Sequence, residues 1–440
     1  MRVDWEVDGA VWKLHLLLDP EDTLAARGQG GRAIELVTDR CRVELPEAAG
    51  EVHPDLRALA AWMIVQPWAK RRVRFDQPVS TSFADAVQAG WGVVAGPVDS
   101  DFAPRRPGPV AGLSYSGGAD SMAVSVMLPP ETPHLFFRRV AHSRVPNRAT
   151  HLKLDVAQRL VEEAGRRGRR TAVVRSDLEY LTLPFPMLPT WTAFAIGLAL
   201  LGDRLDLGAI SFGTVLESRF LDNGRSFVTA GPSPWERLFD AAGVPMLRPA
   251  AGMTEVLTLR QAGESDLGDL ARSCLLGTAQ SPCLACVKCL RKELILAALK
   301  RGPLPAELLR RIPPTHRVAR ELLSGKPPFY FQDMLEYGLA RARIDGTFLE
   351  PLRERLRPSI EGTAWAERYY PPALDLEVPV PWRPMIAQFV AERIGSMTAE
   401  EMATVQTWDA ANRPTPAGIP SQPTRAATGR PTSTTTTARR

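Results

Sequence analysis

Two short stretches of this chain combine residue types that an ordinary core or loop has little use for. The first is Ser114-Tyr115-Ser116-Gly117-Gly118-Ala119-Asp120-Ser121, entered from Pro109-Val110-Ala111-Gly112-Leu113 and left through Met122 to Leu128. This order reads as a strand, a tight glycine turn and a helix start entered at Asp120 or Ser121. Such an arrangement offers backbone N–H groups to an anion. Gly117 and Gly118 let the backbone turn where a Cβ would clash, and Ser116 and Ser121 bring hydroxyl donors. The helix N-terminus adds positive potential. No lysine follows the second glycine, so the run does not match G-x-x-x-x-G-K-[ST]. An acid beside bare phosphates would repel them, so Asp120 either holds Mg²⁺ or caps the helix.

The second stretch is Ser273 to Leu299, which contains Cys274, Cys283, Cys286 and Cys289 in the spacing C-x8-C-x2-C-x2-C. Four thiolates this close can surround Zn²⁺ tetrahedrally, with no open position for water, so the metal would be structural. An iron–sulfur cluster and buried free thiols are the alternatives. The fifth cysteine, Cys41, stands alone, and an odd total argues against a disulfide framework.

The elements that must position these residues are legible around them. Residues 1–107 alternate strand-like runs (Val7 to Leu18, Arg32 to Leu45) with a helical one (His53 to Gln66), the pattern of an α+β domain. The Pro-rich segment 100–109 reads as a boundary. From 108 to 301 short β-rich runs (Pro133 to Ala141, Arg170 to Ser176, Asp206 to Gly213) alternate with helices (Leu152 to Gly168, Thr190 to Gly202). In the last of these, Trp191, Phe194, Ala195 and Leu198 share one helical face. Alternation of this kind predicts a parallel sheet covered on both sides, with ligands bound beyond the carboxyl ends of its strands. Residues 302–411 read as a helical domain broken by Pro-Pro pairs. Residues 412–440, rich in Thr, Pro, Ala and Arg, can bury little and are expected to be disordered.

The glycine run resembles the pyrophosphate-binding loop of the PP-loop ATP-pyrophosphatase superfamily, whose members split ATP to AMP and pyrophosphate. With the cysteine spacing, residues 109–301 resemble the 7-cyano-7-deazaguanine synthases, the QueC family. The resemblance implies a PP-loop (adenine nucleotide α-hydrolase-like) α/β domain with a four-cysteine zinc site, flanked here by the N-terminal α+β and C-terminal helical domains. It implies that Ser116, Gly117, Gly118, Asp120, Ser121 and Gly213 bind ATP with Mg²⁺. Catalysis would involve Asp120 and Ser121, with Arg138 and Lys288 as cations for the α-phosphate. Arg139, Arg291, Glu217 and Glu255 are further candidates, with solvated surface charge the alternative for the basic ones. The implied reaction adenylates a carboxylate, which in that family is 7-carboxy-7-deazaguanine, for attack by ammonia or another amine, with a partner protein and a homodimer both compatible. After Gly213 the chain reads Thr-Val-Leu-Glu-Ser where the family carries Asn and Asp, and the substrate stays open.

Charge and composition bound the other classes. The formal net charge is +5, but five arginines and no acid fall after Ala411, so the rest of the chain is formally neutral. That gives little support for a nucleic-acid surface. RNA thiolation, which other PP-loop enzymes perform, would need a free active-site cysteine, and a non-catalytic nucleotide-binding scaffold would have no need of Asp120. No apolar run is long enough to cross a bilayer, and the first residues carry acids unlike a secretory signal, so a cytoplasmic protein is expected.

Overall fold

A computed structural model describes residues 1–28, 31–140, 154–183, 187–229, 231–271, 274, 277–278 and 281–412, with backbone alone for 154–158. The expected disorder after 412 falls outside the described residues.

Strands in the first hundred residues are β1 (Arg2–Asp8), β2 (Val11–Leu17), β3 (Ala25–Arg27), β4 (Ala33–Leu36), β5 (Arg40–Glu44), β6 (Arg72–Val79) and β7 (Val94–Val98). Those that follow are β8 (Val110–Tyr115), β9 (His134–Arg139), β10 (Thr171–Ser176), β11 (Thr182–Leu183), β12 (Leu207–Ser211) and β13 (Met246–Leu247). Ten of them form one sheet in the order β13-β12-β8-β9-β10-β5-β2-β1-β6-β7. From β13 to β10 all neighbours are parallel. Taken in chain order, these five strands run 3-2-1-4-5 across the sheet, a doubly wound arrangement whose order reverses between β8 and β12. All five residues of β12 are buried, as expected of a central parallel strand covered on both faces.

Two features of the layout were not legible beforehand. The sheet does not stop at the Pro-rich segment: β5 pairs antiparallel with β10, joining the N-terminal strands to the parallel ones. The segment itself is pinned by Arg105, which is buried and donates to Asp203 at 2.6 Å, to the Leu207 and Gly243 carbonyls at 2.8 and 2.7 Å, and to Gly202 at 3.1 Å.

One face of the sheet packs on the N-terminal helix Pro54–Val65 and the helices around Ile196–Leu200 and Pro234–Ala241. The other packs on Ala119–Met127, Glu255–Glu264 and Val287–Leu299, and this core runs on without a break through the helices beyond residue 302. A buried ion network ties that C-terminal region down. Glu377 and Glu236 share Arg219 and Arg248, with Arg219 Nε 2.6 Å from Glu377 Oε1 and Arg248 against both acids. The expected helix at 190–202 begins as a 3-10 turn, Trp191–Ala195, and becomes α-helical only at Ile196.

Candidate active site and metal centre

The glycine turn lies at the carboxyl end of β8, at the point where the strand order reverses. Gly117 adopts φ +70°, which favours glycine, and a Cβ there would also meet Leu160 Cδ1 at 2.7 Å. Ser116 and Ser121 hold the turn together: their hydroxyls are 3.0 Å apart, and the Ser116 N–H donates to Ser121 Oγ at 3.2 Å. The helix begins one residue before the expected start, at Ala119, with Gly118 as N-cap and no side-chain cap. Asp120 is therefore not the cap. Its carboxylate accepts a hydrogen bond from Thr258 Oγ1 at 2.8 Å and lines a cavity. From the other side comes Gly213, two residues beyond the end of β12, where a Cβ would stand 2.8 Å from the Ser121 nitrogen. The role of Gly213 is thus close approach of two backbones.

The cavity encloses about 500 Å³. Ser116, Gly118, Asp120, Ser121, Gly213 and Thr214 form its floor, and Phe137, Trp191, Phe194 and Phe212 one wall. Lys288, Arg291 and Lys292 form another. Their i, i+3, i+4 spacing puts all three on one face of the Val287–Leu299 helix. Arg139 also lines the cavity, paired with Glu179 at 3.1 Å. Arg138, its neighbour on β9, is not among the lining residues. Of the two arginines after the apolar run, the structure brings Arg139 to the site.

Arg291 is buried and fixed. It donates to both Glu255 oxygens, at 2.5 and 3.0 Å, and stacks its guanidinium 4.0 Å from the Phe331 ring centroid. Burial pushes the Glu255 carboxyl up, but Lys292 and Arg291 outweigh it and hold the group below its ordinary value. Lys288 remains open to solvent at the cavity mouth. Partial desolvation, with Lys292 and Arg291 nearby, lowers its pKa, while Asp120 and Glu255 oppose the shift. Behind Arg291, Glu217 and Asp333 are wholly buried, each with one carboxylate oxygen lacking a hydrogen-bond partner. Burial raises both: Asp333 is pushed up to about 7, and Glu217, with Asp333 as a further cause, well above the usual range. Glu217 therefore supports the site from behind, where its other oxygen accepts the Glu255 N–H at 2.8 Å.

The four cysteines converge beside this cavity, which Cys274 borders. Their sulfurs all lie within 4.8 Å of one another, and Cys283 Sγ is 3.8 Å from Cys289 Sγ. Tetrahedral Zn–S bonds of roughly 2.3 Å imply sulfur–sulfur separations of about 3.8 Å, so the set fits such an ion. Backbone N–H groups of Cys283, Ala285 and Cys289 donate to Cys274, Cys283 and Cys286 sulfurs at 3.3–3.4 Å, as thiolates require. Leu284, at φ +51°, makes the knuckle. Hydrogen bonds from the Cys289 thiol and backbone hold Cys286 down at about 5, and push Cys289 up in turn. Cys286 is also the N-cap of the Val287–Leu299 helix, so a metal here would anchor the helix that carries the three cations. Cys41 is far from this in the chain, buried on β5.

Fold and site together define an α/β protein with a largely parallel sheet, a cavity lined by cations and aromatic rings where its strand order reverses, and a four-cysteine cluster able to hold a metal such as zinc. Among the described residues no helix is long and apolar enough to cross a membrane. A family of unknown function (DUF6395) matches residues 234–409, less than half of the chain. That span contains Glu255, the cysteines and the cation-bearing helix, and begins after the glycine turn. No curated protein and no solved structure shows significant similarity to the chain.

Sequence reasoning had missed Thr258, which holds Asp120, and Lys292 on the cavity wall. It had also missed the pair Tyr330 and Phe331, which reach the cavity from beyond residue 302. The helical spacing of Lys288, Arg291 and Lys292 was a usable signal for Lys292. Nothing in the local sequence marks Tyr330 or Phe331.

Proposed function

We propose that the protein is an ATP-dependent adenylating enzyme that joins a carboxylate to a nitrogen nucleophile. The observation that carries this reading is the glycine turn at the switch point, opening on the same cavity as Asp120 and the Lys288–Arg291–Lys292 face. In the first step a carboxylate oxygen attacks the α-phosphorus of ATP and the bond to the bridging oxygen breaks. Pyrophosphate leaves with that electron pair. The turn and the helix N-terminus hold the departing pyrophosphate. Lys288 and Lys292 face the charge that develops on the phosphates, and Arg291, committed to Glu255, sets their helix rather than the substrate. In the second step nitrogen attacks the acyl carbon, loses a proton and expels AMP.

Asp120 would offer a carboxylate to Mg²⁺, an ion that binds through one or two carboxylates plus substrate phosphates and would neutralise charge on them. A zinc ion on Cys274, Cys283, Cys286 and Cys289 would be structural. 7-Carboxy-7-deazaguanine with ammonia is the first substrate pair to test, and an amine on a partner protein the second nucleophile. An RNA-thiolation reading is disfavoured because the cysteine at the cavity, Cys274, belongs to the metal set.

The test is mass-spectrometric detection of AMP, pyrophosphate and an amide or nitrile from purified protein with ATP, Mg²⁺, ammonium and 7-carboxy-7-deazaguanine. Wild-type protein is expected to form AMP, and Asp120→Ala to lose at least 100-fold. AMP formed equally by Asp120→Ala would sink the assignment of the site. An adenylate without amide would redirect the search to another nucleophile.

A further inference from the structure

Among the described residues, one side chain alone donates a hydrogen bond to the Asp120 carboxylate: Thr258, through Oγ1 to Oδ1 at 2.8 Å. An ionised carboxylate has no proton to give, so the hydroxyl is the donor. Thr258 is wholly buried and does not line the main cavity, whereas Asp120 does. The threonine can therefore act on a ligand in that cavity only through Asp120.

The same turn of helix also holds the cations. Glu255 stands three residues before Thr258 at the start of the helix Glu255–Glu264, so the two share a face. Glu255 binds Arg291 at 2.5 and 3.0 Å and Lys292 at 3.5 Å, and its own N–H is fixed to Glu217 Oε1 at 2.8 Å. One helical turn thus sets the spacing between the carboxylate at the glycine turn and the helix Val287–Leu299. A threonine suits this position. Branching at Cβ restricts its rotamers, and its hydroxyl also lies 3.2 Å from the Glu255 carbonyl oxygen.

We propose that Thr258 is the positioning residue that turns Asp120 toward the divalent ion of a metal–nucleotide complex, an inference that rests on the adenylation reading above. The torsion that rotates a carboxylate plane is broad, so a half-buried aspartate such as Asp120 turns freely unless one oxygen is tied. Thr258 ties Oδ1. It leaves Oδ2, which accepts no hydrogen bond from the described residues, to face a cation. A lysine or arginine in place of Thr258 would neutralise the carboxylate and compete with the metal. A neutral hydroxyl orients it and leaves its charge intact.

The test is the binding of α,β-methylene-ATP, which cannot be split to AMP and pyrophosphate, measured by calorimetry with Mn²⁺ and again in buffer freed of divalent ions. Wild-type protein is expected to bind the analogue more tightly with Mn²⁺. Thr258→Val removes the hydroxyl at nearly constant shape. It is expected to bind about tenfold more weakly with Mn²⁺, the loss typical of removing a group that orients a metal ligand, and within threefold of wild type without the ion. Thr258→Ser keeps the hydroxyl and is expected to stay within threefold of wild type in both arms. An equal loss in both arms would mean that Thr258 only supports the fold, and overturns the proposal. So does undiminished Mn²⁺-dependent binding in Thr258→Val, or a Thr258→Ser as weak as Thr258→Val. In each of these cases loss of the Mn²⁺ effect in Asp120→Ala leaves the adenylation reading standing. Wild-type protein that fails to bind the analogue in either arm overturns the adenylation reading and the role of Thr258 with it.

Discussion

Gly213 sets β12 against the first turn of the Ala119–Met127 helix, and the space between them decides what a methyl group would do. A Cβ on Gly213 would lie 2.8 Å from the Ser121 nitrogen, 3.0 Å from the Asp120 carbonyl carbon and 3.0 Å from Ser121 Cα. These are backbone atoms, and no rotamer change moves them. Recovering the 3.4 Å of ordinary contact requires the two segments to part by about 0.6 Å. Over-packing of this kind costs ~1–3 kcal/mol. A 1 Å misplacement of reacting groups can cost on the order of 100-fold in rate, so a shift of this size should cost about tenfold. Gly213→Ala is therefore expected to unfold at lower denaturant and to release AMP about tenfold more slowly. Gly263→Ala, in open space on a helix, is the control and should gain roughly 0.5–1 kcal/mol. Denaturation followed by tryptophan fluorescence and the AMP assay measure the two effects. A Gly213→Ala midpoint equal to that of wild type would refute the close approach. Lost stability with undiminished AMP release would refute the placement of ATP at this turn.

Other consequences can be measured separately. Glu255→Gln leaves the Arg291 guanidinium buried without its counter-charge, and should lower stability by about 3–5 kcal/mol in a denaturation series. Glu255→Gln with Arg291→Met should recover most of that loss, and no recovery would mean that the pair is not the cause. Cys283→Ser should take bound zinc, measured by elemental mass spectrometry, from about one ion per chain toward none, and lower the melting temperature; undiminished zinc would place the metal elsewhere. Asp333 binds its proton more tightly in the fold than in the unfolded chain, so the native state holds more protons between about pH 4 and 7 and stability falls as pH rises through that window. Asp333→Asn should flatten this fall, and an equal slope in the variant would show that Asp333 is ionised throughout.

Local chemistry was far more legible than assembly. The glycine turn and the cysteine knuckle could be read because backbone approach to an anion and tetrahedral thiolate binding each demand particular residues within a few positions. Helices such as Pro54–Val65 and strands such as β9 and β12 followed from apolar periodicity. The β5–β10 pairing was not readable, since it depends on register between strands more than a hundred residues apart. Arg138 and Arg139 were indistinguishable because they are adjacent and alike, and only the assembled fold brings Arg139 to the cavity. The stacking of Phe331 on Arg291 depends on tertiary contact between segments whose local patterns are those of plain helices.

The β5–β10 seam is only two residue pairs wide, Arg175 with Glu44 and Ser176 with Val43. It is reinforced by side chains: Ser176 Oγ donates to the Arg42 carbonyl at 2.6 Å, and Asp177 accepts the Arg42 N–H at 2.7 Å. The N-terminal hundred residues thus serve as a cover for what would otherwise be a raw sheet edge. A shortened gene product beginning near residue 108 would carry the whole glycine turn and cysteine knuckle yet leave β10 with its outer hydrogen-bonding groups bare. Such a fragment would recruit the nearest free strand, including that of another copy, and accumulate as aggregate. Dissecting this protein by deletion would therefore report on solubility before it reported on chemistry, and point substitutions are the sound way to take it apart.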